Sequence, residues 1–185
     1  MILGVDILKQ LVEDINLVEG LCERERTNPE GAGFDLCLAS AGTITNNNTA
    51  NNGHMGVTKR KTSEYTELDP TIDESGSAYY TIPPKGSLII TTIESVNLPT
   101  WLAAEMSLRS TLYRSGVLYT GGTIHPGYCG KLSFCFYNTT DVPFIIEVGA
   151  RIVHIRFREV KGESAEYRGQ WQGGRVHQNE LETQV

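Results

Sequence analysis

The chain has 185 residues, enough for one domain with a real core. Its 22 acidic residues outnumber its 16 basic ones, a net charge of −6, which excludes a nucleic-acid polymer as the expected partner because such proteins carry a basic footprint. No stretch approaches the roughly 20 apolar residues of a membrane span, and Met1 to Asp6 carries no basic n-region, so a cytoplasmic protein with no membrane partner is expected.

Residues 5–18 predict an amphipathic helix, with Ile7, Leu8, Leu11, Val12 and Ile15 on one face. Residues 24–33 are charged and turn-rich. Phe34, Leu36 and Leu38 then alternate as in a strand, with Asp35 on the opposite face. Residues 41–77 are polar and Asn-rich, a long loop or hairpin excursion in which Asn52-Gly53 is a good hairpin turn. From residue 78 the pattern is all β: strands at 79–82, 88–96, 117–124, 131–137, 144–148 and 151–158, with an irregular or helical segment at 101–116. Leu132, Phe134 and Phe136 share one strand face, and Ser133, Cys135 and Tyr137 the other. His154 and Arg156 fall on an outward face, suited to the surface or a subunit interface. Many short strands separated by turns predict a sandwich or closed barrel over residues 1–160. A flexible polar, Gly-rich arm follows over 161–185. Cys22, Cys37, Cys129 and Cys135 share no CxxC spacing, so free, mostly buried thiols are expected rather than a zinc site.

Chemistry concentrates in two runs. Arg109, Ser110, Thr111 and Arg114 place two guanidiniums and two hydroxyls within six residues, a donor set suited to phosphate oxygens. A solvated surface turn is the plainer reading of the same residues. The second run, Ile124-His125-Pro126-Gly127-Tyr128-Cys129-Gly130, is a turn entering a strand.

Together these runs resemble the phosphate and nucleoside sites of the dUTPase / dCTP deaminase superfamily, closest to the dCTP deaminase and archaeal dUTPase branch. The spacing Arg-Ser-Ser/Thr-Leu-x-Arg is what that branch uses to hold a nucleoside triphosphate. Gly31-Ala32-Gly33-Phe34-Asp35-Leu36 resembles the first family motif, and Gly149 to Ile155 resembles the Gly-x-Arg-Ile-Ala-Gln-Leu strand. The tail Tyr167 to Arg175 is similar to the closing arm that folds over bound nucleotide. The resemblance implies an all-β, distorted jelly-roll-like barrel with a short N-terminal helix, assembled as a homotrimer with shared sites. It implies a deoxynucleoside triphosphate as ligand and Mg2+ as cofactor, with Asp35 meeting the metal through water.

Two positions depart from the family pattern. His125 stands at the turn aspartate, and Cys135 stands at the deaminase's catalytic glutamate. A carboxyl group there shuttles protons between water and the cytosine ring, and a thiol is a poor substitute. The expected activity is therefore hydrolysis of dUTP to dUMP and pyrophosphate. In that reading His125 and Asp35 are the catalytic pair, with His125 setting the attacking water. Arg109, Ser110, Thr111 and Arg114 hold phosphates, and Tyr128 packs on the sugar or, alternatively, in the core. Ser133, Phe134 and Cys135 read the base edge. Gln170, Trp171 and Arg175 close from the arm, although Trp171 could instead pack on a neighbouring subunit. The alternatives are a lapsed relative that binds a deoxynucleotide without turnover, and a dCTP deaminase.

Overall fold

The computed structural model describes residues 1–45 and 53–184. The chain opens with helix α1 (Val5–Ile15), strand β1 (Val18–Glu19), helix α2 (Glu23–Thr27) and the long strand β2 (Phe34–Ile44). The excursion carries β3 (His54–Met55), β4 (Lys59–Lys61), β5 (Tyr65–Glu67) and β6 (Thr71–Ile72). Next come β7 (Ala78–Ile82), β8 (Ser87–Asn97), β9 (Leu102–Leu108), helix α3 (Ser110–Arg114) and β10 (Val117–Thr120). The chain finishes with β11 (Cys129–Asn138), β12 (Phe144–Glu147), β13 (Arg151–Glu159) and β14 (Glu182–Thr183).

The main sheet runs β10-β11-β8-β2-β13-β9, antiparallel between neighbours. Ala104 of β9 and Ile124, on the segment from β10 to β11, donate to each other's carbonyls at 3.0 and 2.8 Å. That bridge brings the last strand back towards the first and nearly closes the sheet, which removes most of its free edge. The architecture is a distorted, jelly-roll-like all-β barrel with one short N-terminal helix, as the sequence predicts. Phe34, Leu36 and Leu38 of β2, Ile90 of β8, Phe136 of β11 and Ile155 and Phe157 of β13 are fully enclosed. The β11 alternation is as expected: Leu132, Phe134 and Phe136 face the core.

Several local readings change. The first helix stops at Ile15 rather than at 18, because Asn16 takes a left-handed conformation (φ 53°) and caps it there. Leu17 and Val18 then turn into the core as extended chain beside β8. Ile7, placed on the apolar face by periodicity, is 48% exposed, and Leu8, Leu11, Val12 and Ile15 make the packing. Residues 24–33 are not wholly turn, since α2 occupies their start. Residues 101–116 contain β9 as well as α3, and β10 ends at Thr120 rather than at 124. The thiols are not mostly buried: Cys22 and Cys129 are exposed, Cys135 is half-buried, and Cys37 alone among them is enclosed. The Asn-rich run 46–52, including Asn52 of the expected turn, lies outside the described residues.

Candidate functional site

The turn that sequence reading singled out builds one wall of an open cleft of about 440 Å³. Ile124 is held by the Ala104 bridge, Gly127 donates its N–H to Leu98 O (2.9 Å), and Leu98 N–H donates to Tyr128 O (2.9 Å). This pinning presents His125 outward and tucks Tyr128 inward, where it is buried. The Tyr128 hydroxyl donates to Lys131 O at 2.6 Å, and burial pushes its pKa up to about 12. Tyr128 therefore serves the core and lines the cleft at once. Ser133, Phe134 and Cys135 of β11 form the floor. Ser133 Oγ lies 3.2 Å from Thr91 Oγ1, and the Cys135 thiol points at Phe136 O (3.6 Å).

The arm supplies the roof. Tyr167 N–H donates to Pro126 O (2.7 Å), Gly173 N–H to Cys129 O (2.8 Å), and the Gln172 side-chain amide to Gly127 O (2.9 Å). Two glycines in the turn make this approach possible. A Cβ on Gly130 (φ +137°) would overlap the backbone of Gly173 and Gly174, and one on Gly127 (φ +78°) would press on Glu166 and Tyr167. A left-handed conformation and a close backbone neighbour each favour glycine, and here they coincide. The Tyr167 ring stacks parallel to His125, with centroids 6.0 Å apart and an 8° interplanar angle. It meets Tyr128 edge-on at 5.4 Å. Trp171 and Arg175 complete the roof, and Thr62 of the excursion joins them at its rim. Gln170 is turned away and accepts from Arg60 Nε at 2.7 Å.

The cleft lining is apolar and aromatic, with one imidazole, one guanidinium, a thiol and hydroxyls. It contains no Asp or Glu among the described residues. His125 is thus its one imidazole base. The thiol of Cys135 is a poor substitute for a carboxyl group in a proton shuttle.

The phosphate-type donors lie elsewhere. Leu112 is buried and anchors α3, which leaves Ser110, Thr111 and Arg114 exposed. The Arg114 guanidinium lies 5.8 Å from the Tyr113 ring centroid. None of Arg109, Ser110, Thr111 and Arg114 lines the cleft of its own chain.

Asp35 sits in a third place. Its side chain is on the opposite face of β2 from Phe34 and Leu36, as alternation predicts, but that face is covered too and Asp35 is 1% exposed. Oδ2 accepts from Arg151 at 2.8 Å and is ion-paired with Arg109. Oδ1 accepts from His154 Nδ1 at 2.9 Å. The Asp35 N–H donates to Glu25, itself wholly buried and ion-paired with Arg24. Burial, then the neighbouring Arg151, lowers the Arg109 pKa. Burial, then Arg156, lowers that of His154 in spite of the carboxylate beside it. Both carboxylate oxygens are already engaged, so this arrangement does not fit Asp35 as a partner for metal-bound water. It fits a group that orients Arg109 and Arg151. Alternation alone sets His154 and Arg156 on an outward face of β13, and nothing local announces the His154 contact; register sets His154 directly opposite Asp35.

A sequence model of the dCTP deaminase-like family matches residues 2–160. The chain is 31% identical over 160 residues to the dUMP-forming dCTP deaminase of Coprothermobacter proteolyticus, covering 85% of this chain and 81% of that one. It is 35% identical over 105 residues to the dCTP deaminase of Thermococcus gammatolerans, a match covering 56% of this chain and 66% of the relative. Among solved structures, the 2′-deoxycytidine 5′-triphosphate deaminase of Agrobacterium tumefaciens superposes with a TM-score of 0.62 at 17% identity. That likeness covers 86% of this chain and 48% of that one and concerns the fold.

Proposed function

The chain belongs to the dCTP deaminase-like family, and from that premise we propose that it is a dUTPase-like diphosphohydrolase, splitting dUTP into dUMP and pyrophosphate. The observation that carries this reading is the cleft. An apolar, aromatic cleft with Ser133, Phe134 and Cys135 on its floor, one imidazole and one guanidinium suits a nucleoside with an anionic tail. Cys135, at the position where the resemblance sets the deaminase's catalytic glutamate, argues against deamination, which the names of the relatives would otherwise suggest.

In this reading the backbone and side chains of Ser133 to Cys135 meet the base edge, and Tyr128 packs on the sugar. His125 accepts the proton of the attacking water. Water attacks the α-phosphorus, the bond to the bridging oxygen breaks, and pyrophosphate leaves. Arg109, Ser110, Thr111 and Arg114 hold phosphates, with Arg109 oriented by Asp35. That set does not line the cleft of its own chain, and in this reading the complete site is shared between subunits, as in the homotrimer implied by the resemblance. Magnesium accompanies the triphosphate in this reading, and no residue here is assigned to hold it.

A second reading, nucleotide binding without turnover, is favoured by the absence of a carboxylate from the cleft lining among the described residues. The test is pyrophosphate release with magnesium across dUTP, dCTP, dTTP and the ribonucleotides, for the wild type and for Arg114→Ala, His125→Ala and His125→Asp. Release from dUTP that falls at least a hundredfold in His125→Ala supports the hydrolase, since a positioned base contributes about 10²–10⁴-fold. Release that appears only in His125→Asp supports the lapsed relative. Ammonia and dUTP formed from dCTP would overturn both.

A further inference from the structure

The Asn-rich excursion has no part in the family motifs, and residues 161–184 lie past the segment matched by the family model. The structure joins these two regions. Strands β3, β4 and β14 form a separate three-stranded sheet, in which Glu182 lies opposite Arg60 and Thr183 opposite Lys59. Thr62 N–H donates to Gln178 O (3.0 Å), and Gln178 N–H donates back to Thr62 Oγ1 (2.8 Å). The rings of Tyr65 and His177 stack at 5.0 Å. Arg60 sits at the centre of these contacts. Its Nε donates to Gln170 Oε1 at 2.7 Å and lies 3.9 Å from Glu182 Oε1. Glu182 Oε2 accepts from Arg175 at 3.1 Å.

The cleft-lining residues Trp171 and Arg175 therefore lie between two points of attachment, Gln170 and Glu182, and both attachments lead to one guanidinium. Two cations share one carboxylate, so this cluster keeps a surplus positive charge beside the cleft, matched to an anionic ligand. Side-chain exposure of 16% for Arg60 and 24% for Glu182 strengthens their pairing over that of a fully solvated ion pair.

We propose that the hairpin 54–61 is the seat of the C-terminal arm, and that Arg60 is a positioning residue that, through Glu182, holds Arg175 towards the phosphate end of a nucleotide in the cleft. The seat stands on these contacts alone, while the role of Arg175 rests on the nucleotide reading above. Arg60 touches no reacting atom. Its effect is to order the arm before ligand arrives, which lowers the cost of closing it on binding.

The experiment uses the full chain as wild type, Arg60→Ala, Arg60→Lys, Arg175→Ala and the Arg60→Ala/Arg175→Ala pair. Without ligand, hydrogen exchange at the amides of Gln178 and Gln184 should quicken at least tenfold in Arg60→Ala, while amides of β8 stay as in the wild type. Arg60→Lys should recover part of that protection. With dUTP, Arg60→Ala should raise KM, or Kd where there is no turnover, about tenfold with a smaller change in kcat. That is the size of one charge-assisted contact. The double variant should be no worse than Arg175→Ala. Unchanged exchange in Arg60→Ala overturns the seat. Single losses that multiply in the double variant overturn the route through Arg175. If no nucleotide binds the wild type, the functional reading fails, and the exchange result still decides the seat.

Discussion

Asp35→Asn tests whether the enclosed carboxylate, rather than the fold around it, organises Arg109. Asparagine keeps the shape and one acceptor but removes the charge, and its NH2 must face either the two guanidiniums or His154 Nδ1. Two charge-assisted hydrogen bonds, from Arg151 and His154, and the ion pair with Arg109 are affected. Each such bond contributes about 1.5–3 kcal/mol when buried. The partners are not fully enclosed: Arg109 and Arg151 are 31% and 30% exposed, so water recovers part of the loss. The net cost should be about 3 kcal/mol, below the ~3–5 kcal/mol of breaking a fully buried pair. For a chain of this size that lowers Tm by roughly 6–12 °C. Thermal and urea unfolding of the two proteins measures it, and an Asp35→Asn/Arg109→Gln cycle isolates the pair, with a coupling above about 1 kcal/mol expected. A loss under about 0.5 kcal/mol, the size of an ordinary surface substitution, would refute the argument that these cations depend on Asp35.

Three further expectations follow from the same geometry. Glu94 is buried, accepts from Cys37 N–H at 2.8 Å and has its other oxygen without a hydrogen-bond partner among the described residues; burial raises its pKa. The folded state holds this proton more tightly than the unfolded state, so Glu94 favours folding at low pH and that contribution is lost as pH rises through the raised pKa. Glu94→Gln should therefore be more stable than wild type at pH 8 and lose that advantage at pH 4; urea midpoints showing the reverse order would contradict the sign. Gly130→Ala should detach the arm, because its Cβ would occupy the backbone of Gly173 and Gly174; trypsin cleavage after Arg168 should quicken about tenfold, in line with roughly 1–3 kcal/mol of strain, and an unchanged rate would count against the docked arm. A thiol reagent should modify Cys22 and Cys129 first, Cys135 more slowly, and Cys37 only on unfolding, since Cys37 is enclosed and its pKa is pushed up to about 12; mass spectrometry of the modified peptides reads the order.

The parts of the molecule legible in the sequence are those written in local periodicity. The β11 alternation, the β13 alternation and the turn at His125 can be read because each depends on neighbours two residues away. The end of α1 was harder, since Leu17 and Val18 continue the apolar pattern and only the left-handed Asn16 stops the helix. The face of Asp35 could be read but not its surroundings: Arg109, Arg151 and His154 arrive from 74 to 119 residues further along, and nothing local marks them as its partners. The seat of the arm was invisible for a related reason. Its strands are two or three residues long and polar, and 116 residues separate Thr62 from Gln178. The split between the cleft and the Arg109–Arg114 donors was likewise absent from the motif order, which runs them close together in sequence.

The charge cluster also bears on how β2 finds its place. Phe34 to Leu38 are buried on both faces of the strand, so the usual contrast between an apolar and a wet face does little to fix its alignment with β13. A slip of one residue would send Phe34 and Leu36 to the face of Arg109 and Arg151 and Cys37 to the interior, all of them still covered positions. It would also carry Asp35 into the aromatic interior beside Phe157 and strand Arg109, Arg151 and His154 without their anion. Asp35 opposite His154 thus acts as a key for the correct pairing, excluding misaligned barrels during assembly even where its contribution to the stability of the finished one is modest.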